Sequence, residues 1–211
     1  MAIQLIGNGG FVADVDGTNW RGVRVTQRPP EYGSGGYYRT SFSALTAAAP
    51  GAAAQLASLR WTSGSLLMAI HAIYQTIAVS TASTVGLPQL GCYVARSFSA
   101  GDSGGTAVTL TGSSFKTRTS MATTVLGDMR YASAGVITAG TRTLDSQPIL
   151  SVVTNFALGS TNSNFMDNNG PYDHPIILAQ NEGLVWQNVT AVTSGVYQYT
   201  VHIEWAEVAS F

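Results

Sequence analysis

From Val196 to Val208 the side chains alternate without interruption, Tyr197, Tyr199, Val201, Ile203 and Trp205 against Gln198, Thr200, His202 and Glu204. A helix would scatter those five apolar residues around its circumference, whereas an extended strand brings all of them to one side. The segment therefore reads as a long antiparallel strand with one face buried. Upstream, Gly183 to Val189 reads as a second strand, and Thr193-Ser194-Gly195 supplies turn chemistry between the two. The expectation is a C-terminal hairpin, with Trp186 and Trp205 as core or oligomer contacts.

Other segments follow the same habit. Strands are expected over Trp20 to Arg28, Tyr37 to Leu45, Leu56 to Trp61, Leu66 to Val79, Gln89 to Phe98 and Gln147 to Phe156, with a shorter run at Ile176 to Ala179. Helix signals are few. Pro50-Gly51 breaks the Ala-rich stretch Ala44 to Leu59, and Ser120 to Arg130 could form a short helix, weakened by Gly127, so at most one or two short helices are expected. The fold class is all-β, an antiparallel β-sandwich of jelly-roll type, with residues 1–211 as a single domain.

Charge then limits the partners. Ten Lys and Arg stand against 11 Asp and Glu, charged residues make up 10% of the 211 positions, and Lys116 is the sole lysine. Such a chain has no basic run for gripping a phosphate backbone, so no nucleic-acid partner is expected. The longest apolar stretch, Leu66 to Val79, is interrupted by His71, Gln75 and Thr76, so no membrane span is expected. Cys92 is the only cysteine and permits no intrachain disulfide. Met1 to Gly10 lacks the layout of a secretory signal, which implies folding in a cytosol and leaves the Asn188-Val189-Thr190 acceptor pattern without meaning. A surface of Ser, Thr, Gly, Asn and Ala suits packing against copies of itself or against a larger assembly.

Three short matches look like chemistry. Gly101-Asp102-Ser103-Gly104-Gly105 reproduces the nucleophile motif of trypsin-like proteases. That family needs a His and a separate Asp upstream, and no Asp or Glu lies between His71 and Asp102. A Gly/Ser turn between Phe98 and Val108 explains the same letters. Asp14-Val-Asp16-Gly17-Thr18 resembles the opening of haloacid-dehalogenase-like phosphatases, with Lys116 and Gly127-Asp128 downstream. The second downstream acid and the alternating helices of that fold are missing. His202 and Glu204 share a strand face, and Asp173-His174 lie on a loop, but the spacing matches no metal motif. Asp14, Asp16 and Asn19 lack the remaining ligands of a calcium loop. No catalytic residue, metal or cofactor is expected. Trp20, Trp61, Trp186 and Trp205 could serve as stacking platforms for a sugar, with Tyr37-Tyr38 beside a Gly-rich loop as the better exposed candidates.

Gly7-Asn-Gly-Gly-Phe11, Val15-Asp-Gly-Thr18 and Arg21-Gly-Val-Arg24 resemble the start of a group of tailed-bacteriophage virion structural proteins. Thr141-Arg-Thr-Leu-Asp-Ser146, His174 to Gly183 and Ile203 to Val208 extend the resemblance to the centre and the C-terminal end. It implies a non-enzymatic virion component, folded in the host cytoplasm. An auxiliary or decoration subunit of the head is expected, self-associating as a homo-oligomer and docking on other virion proteins such as the major capsid protein. The alternative is a tail or fibre component that binds a host receptor or glycan. The candidate interface is Tyr37, Tyr38, Gln198, Thr200, His202 and Glu204, with loops Gly33 to Tyr38 and Asn162 to Tyr172 contributing.

Overall fold

The computed structural model describes residues 36–82, 86–110, 116, 127–133, 135, 137–168 and 174–209, and the backbone of three short strands nearer the N-terminus. Those three, β1 (Leu5–Ile6), β2 (Val12–Val15) and β3 (Val23–Arg24), form a small antiparallel sheet. Of the strand expected over Trp20 to Arg28, only Val23–Arg24 is described as strand. Asp16, Gly17, Thr18, Asn19 and Trp20 lie outside the described residues.

The remaining strands are β4 (Gly36–Leu45), β5 (Gln55–Trp61), β6 (Leu67–Thr81), β7 (Gln89–Arg96), β8 (Thr106–Ala107) and β9 (Gly127–Tyr131). They are followed by β10 (Thr143–Leu144), β11 (Leu150–Val153), β12 (Thr161–Asp167), β13 (Ile176–Leu178), β14 (Gly183–Asn188) and β15 (Val196–Val208). Among the described residues there is no helix. A five-stranded sheet runs β12-β6-β15-β4, with β13 continuing the line of β12 along β6. A seven-stranded sheet runs β10-β7-β14-β5-β9-β8, with β11 sharing the edge of β7. Every pairing is antiparallel, and the inner faces of the two sheets enclose one core. The protein is an all-β sandwich.

Four expectations need correction. β14 and β15 do not form a hairpin: β14 pairs with β5 and β7, whereas β15 pairs with β4 and β6 in the other sheet. The turn at Thr193-Ser194-Gly195 therefore carries the chain across the sandwich. The helix expected over Ser120 to Arg130 is contradicted at its described end, where Gly127–Tyr131 is strand. The expected loop Asn162 to Tyr172 contains most of β12, and the run Gln147 to Phe156 narrows to Leu150–Val153.

The alternation in β15 holds throughout. Tyr197, Tyr199, Val201, Ile203 and Trp205 are buried in the core, together with Trp61 and Trp186 from the facing sheet. Several of the polar atoms carried inward are paired, while Trp186 Nε1 and Gln75 Oε1 have no hydrogen-bond partner among the described residues. The Tyr197 hydroxyl donates to Asn188 Oδ1 at 2.9 Å, and the Tyr199 hydroxyl lies 2.6 Å from Ala132 O. Trp61 Nε1 donates to Leu66 O at 2.7 Å. Asn188 is fully buried, and its Nδ2 reaches Gly51 O at 2.9 Å and Thr190 O at 2.7 Å. The asparagine of the acceptor pattern is thus a brace for the Pro50-Gly51 loop.

Candidate functional site

The outer face of the five-stranded sheet brings together five of the six candidate residues. Register arranges it in rows across β12, β6, β15 and β4. One row is Asp167, Ala72, Glu204, Arg39, and the next is Phe165, Tyr74, His202, Ser41. Below them lie Ser163, Thr76, Thr200, Ser43, and then Thr161, Ala78, Gln198, Leu45. Only three of these sixteen positions, Asp167, Glu204 and Arg39, carry a formal charge.

The polar groups on this face are tied to one another. Tyr37 Oη donates to Glu204 Oε2 at 3.0 Å, and His202 Nε2 lies 3.0 Å from Glu204 Oε1. Gln198 Nε2 and Thr200 Oγ1 both donate to Ser43 Oγ, at 2.7 and 2.9 Å. His71 is the extra residue of a β-bulge, because Glu204 pairs with Ala72 while Trp205 pairs with Ile70. Its ring sits 5.6 Å from that of Tyr37.

Tyr38 does not belong to the face. It is 0% exposed and stacks on Trp205 in the core, with ring centroids 5.8 Å apart. Successive side chains of a strand point to opposite sides, so a Tyr-Tyr pair within one strand places one ring outward and one inward. Trp61, Trp186 and Trp205 are likewise enclosed, which removes them as exposed platforms. The exposed aromatic group is a different one: Phe165, 64% exposed, stacks on Tyr74, 40% exposed, at 5.8 Å and 18°. Tyr74 in turn meets the His202 ring at 5.7 Å. The sequence hides this pair, since Phe165 and Tyr74 meet only when β12 pairs with β6.

The protease-like motif has a structural explanation on the other sheet. Asp102 and Arg142 form an ion pair at 2.5 Å with side chains 3% and 5% exposed. Gln55 Nε2 donates to Asp102 Oδ2 at 2.6 Å, Arg142 Nη2 donates to Gln55 Oε1, and the Gly140 N–H donates to Asp102 Oδ1 at 2.6 Å. The Arg142 guanidinium also covers the Phe98 ring at 5.2 Å. Burial pulls the Arg142 pKa down, against the opposing attraction of Asp102. Gly104 and Gly105 take positive φ, and a Cβ on Gly105 would press on Tyr131 O. Ser103 is exposed and pairs through its backbone with Thr138. His71 belongs to the opposite sheet, beside Tyr37 on its outer face, so His71, Asp102 and Ser103 do not assemble a triad.

Gln55 and Arg142 also line an open groove of about 440 Å³ with Ala53, Ile137, Ala139 and Leu144. Both polar side chains are already engaged with Asp102. For metals, His202 and Glu204 bond each other, His174 is exposed on its loop, and Asp173 lies outside the described residues. Among the described residues no three His, Cys, Asp or Glu side chains come together as a ligand set. No protein-family model, curated protein or solved structure matches the chain.

Proposed function

We propose that the chain is a bacteriophage virion structural protein, an auxiliary or decoration subunit of the head that works by self-association and by docking on the major capsid protein. The observation that carries this reading is the outer face of the five-stranded sheet. It is a broad, sparsely charged surface of hydroxyl, amide and aromatic side chains, with Phe165 on the edge strand β12 and Tyr74 on the adjoining β6 exposed beside each other. Large exposed aromatic groups amid neutral polar ones mark contact surfaces, and repetition over a symmetric shell multiplies modest contacts. The resemblance of the phrases at both ends and the centre of the chain to those of virion structural proteins supports the same reading.

The jelly-roll form is part of this proposal. β4, β15, β6 and β12 lie in one sheet and β5, β14, β7 and β11 in the other. That order supports two interleaved Greek keys.

The stacked Phe165–Tyr74 pair favours one second reading, a tail component that binds a glycan through aromatic stacking. Gold-tagged antibody against the chain, viewed on purified particles of the source phage by electron microscopy, separates the two. Gold over the heads is the expected result. Gold at the tail transfers the reading to the glycan binder, and a chain undetected on particles by both gold and mass spectrometry overturns both.

A further inference from the structure

We infer that the chain docks end-on, strands upright, through the uncharged end of the sandwich, and that what covers this end is an equally uncharged, largely apolar patch of the protein shell. The inference rests on the reading above that the chain docks on the head, and adds which end does so. It is carried by a separation of charge along the strands. Residues 40–59, 61–95, 146–166 and 183–203 contain no Asp, Glu, Lys or Arg. These stretches lead into four loops at one end of the sandwich, described over 46–54, 86–88, 154–160 and 189–195. Arg39, Arg60, Arg96, Asp167, Glu182 and Glu204 lie at or toward the opposite end of their strands.

The four loops are joined into one surface. Ala49 N–H donates to Gly195 O and Val192 N–H to Pro50 O, both at 3.1 Å. Thr190 Oγ1 donates to Gln89 Oε1 at 3.2 Å, and Thr154 N–H to Pro88 O at 3.1 Å. On this surface Leu158 is 72% and Leu87 50% exposed, with Val153 exposed opposite Gln89. The charges beside Gln55, those of Asp102 and Arg142, are enclosed and paired with each other. Ala49 and Ala53 are exposed at φ of 52° and 57°. Gly or Asn adopts that backbone more readily, and packing within the chain does not call for either methyl. An apolar group kept at the surface against backbone strain points to a use outside the chain.

An uncharged end offers no counter-charge, so a partner covering it must be uncharged there too, or bury a lone charge. A lipid surface fits less well: loops that seat in membranes carry Trp, Tyr or cations at headgroup depth, and Trp61, Trp186 and Trp205 are enclosed. The charged end stays hydrated, which orients each subunit with that end outward. Two sheets about 10 Å apart and four or five strands wide present an end of roughly 400 Å², about half of one side of a standard interface. Each contact is therefore weak, and copies on a symmetric shell hold by their number.

The test places the photo-crosslinker p-benzoylphenylalanine in the full-length chain on phage particles, either at Leu158 or at Gln180, exposed on the loop before β14 at the opposite end. Irradiation is expected to join the Leu158 position to the major capsid protein and to leave the Gln180 position unjoined. A shell adduct from Gln180, or a Leu158 adduct only with another copy of this chain, overturns the inference. Flotation of the purified chain with phosphatidylcholine vesicles overturns it as well. Leu87→Asp combined with Leu158→Asp should lower the copies per particle at least about tenfold in competition with the wild type. Ala49→Asn should hold or raise the Tm and still weaken attachment, a split that a purely structural loop would not show. A variant of either kind that melts like the wild type and keeps full occupancy overturns the inference. A particle-bound chain without a Leu158 adduct overturns the docking end alone. A chain absent from particles removes the virion reading and this partner together.

Discussion

Asp102 illustrates how a residue in a catalytic-looking motif can be a structural anchor. Its carboxylate neutralises a buried guanidinium and accepts the Gly140 N–H, binding the segment after β7 to the one before β10 and to β5. Removing one partner of such a pair leaves the other charge buried without compensation, which costs about 3–5 kcal/mol. Asp102→Ala is therefore expected to lower the unfolding free energy by about that amount in urea titration. Ser103→Ala, on an exposed turn beside it, should stay within about 0.5 kcal/mol of the wild type. A loss below about 1 kcal/mol for Asp102→Ala would contradict the buried pair. Equal losses for the two variants would point instead to the turn.

Elements show where a sequence reveals structure and where it conceals it. β15 is legible because five inward side chains in succession leave no other periodicity to fit. The same alternation places Gln198, Thr200, His202 and Glu204 on one face of β15 before its neighbours are known, whereas the sidedness of Tyr37, beside a Gly-rich loop, carries no such signal. β12 is hidden because it has one apolar residue on each face, Phe165 outward and Met166 inward, with Asn162 and Asn164 beside Met166. Those asparagines look like loop residues, yet their amides donate to Val153 O at 2.6 Å and Ser151 O at 2.9 Å, closing the gap between β12 and β11. β9 is too short for two inward residues, Met129 and Tyr131, to outweigh a helical reading. The hairpin expectation failed because a Gly-containing turn serves equally to join neighbours in a sheet and to cross to the opposite sheet. What decides between them is that β14 and β15 bury their apolar faces against each other across the core.

Near its C-terminal end β15 also carries an ionisable group inward. Glu207 is buried, Oε1 has no hydrogen-bond partner among the described residues, and burial pushes its carboxyl up to about 7 against the opposing effect of Trp205. The folded state therefore holds this proton more tightly than the unfolded chain, whose carboxyl titrates near 4.5. The contribution is fully present below about pH 4.5 and is lost as pH rises through about 7. Thermal melts of Glu207→Gln should lack this decline and exceed the wild type above pH 7, by about 2–4 °C for each kcal/mol recovered. Parallel curves for the two proteins from pH 4 to 9 would refute the assignment.

At the scale of the whole molecule, one core joins both sheets, so its parts have little independent stability. Cys92 lies fully within that core, and burial pushes its thiol well above the usual range. A thiol reagent should leave the native protein unlabelled and react over the same urea range in which circular dichroism reports unfolding. Labelling at lower urea would reveal a separate opening of β7. The same unity bears on how the chain is made. β15 lies between β6 and β4, yet both precede it in the chain, and the Thr200–Ser43 bond joins residues 157 positions apart. At about 5–20 residues per second a ribosome needs roughly 8–30 s to cover that distance. Throughout that interval β4, and for most of it β6, waits without the strand that joins them, so newly made chains are candidates for chaperone capture until Val208 has emerged.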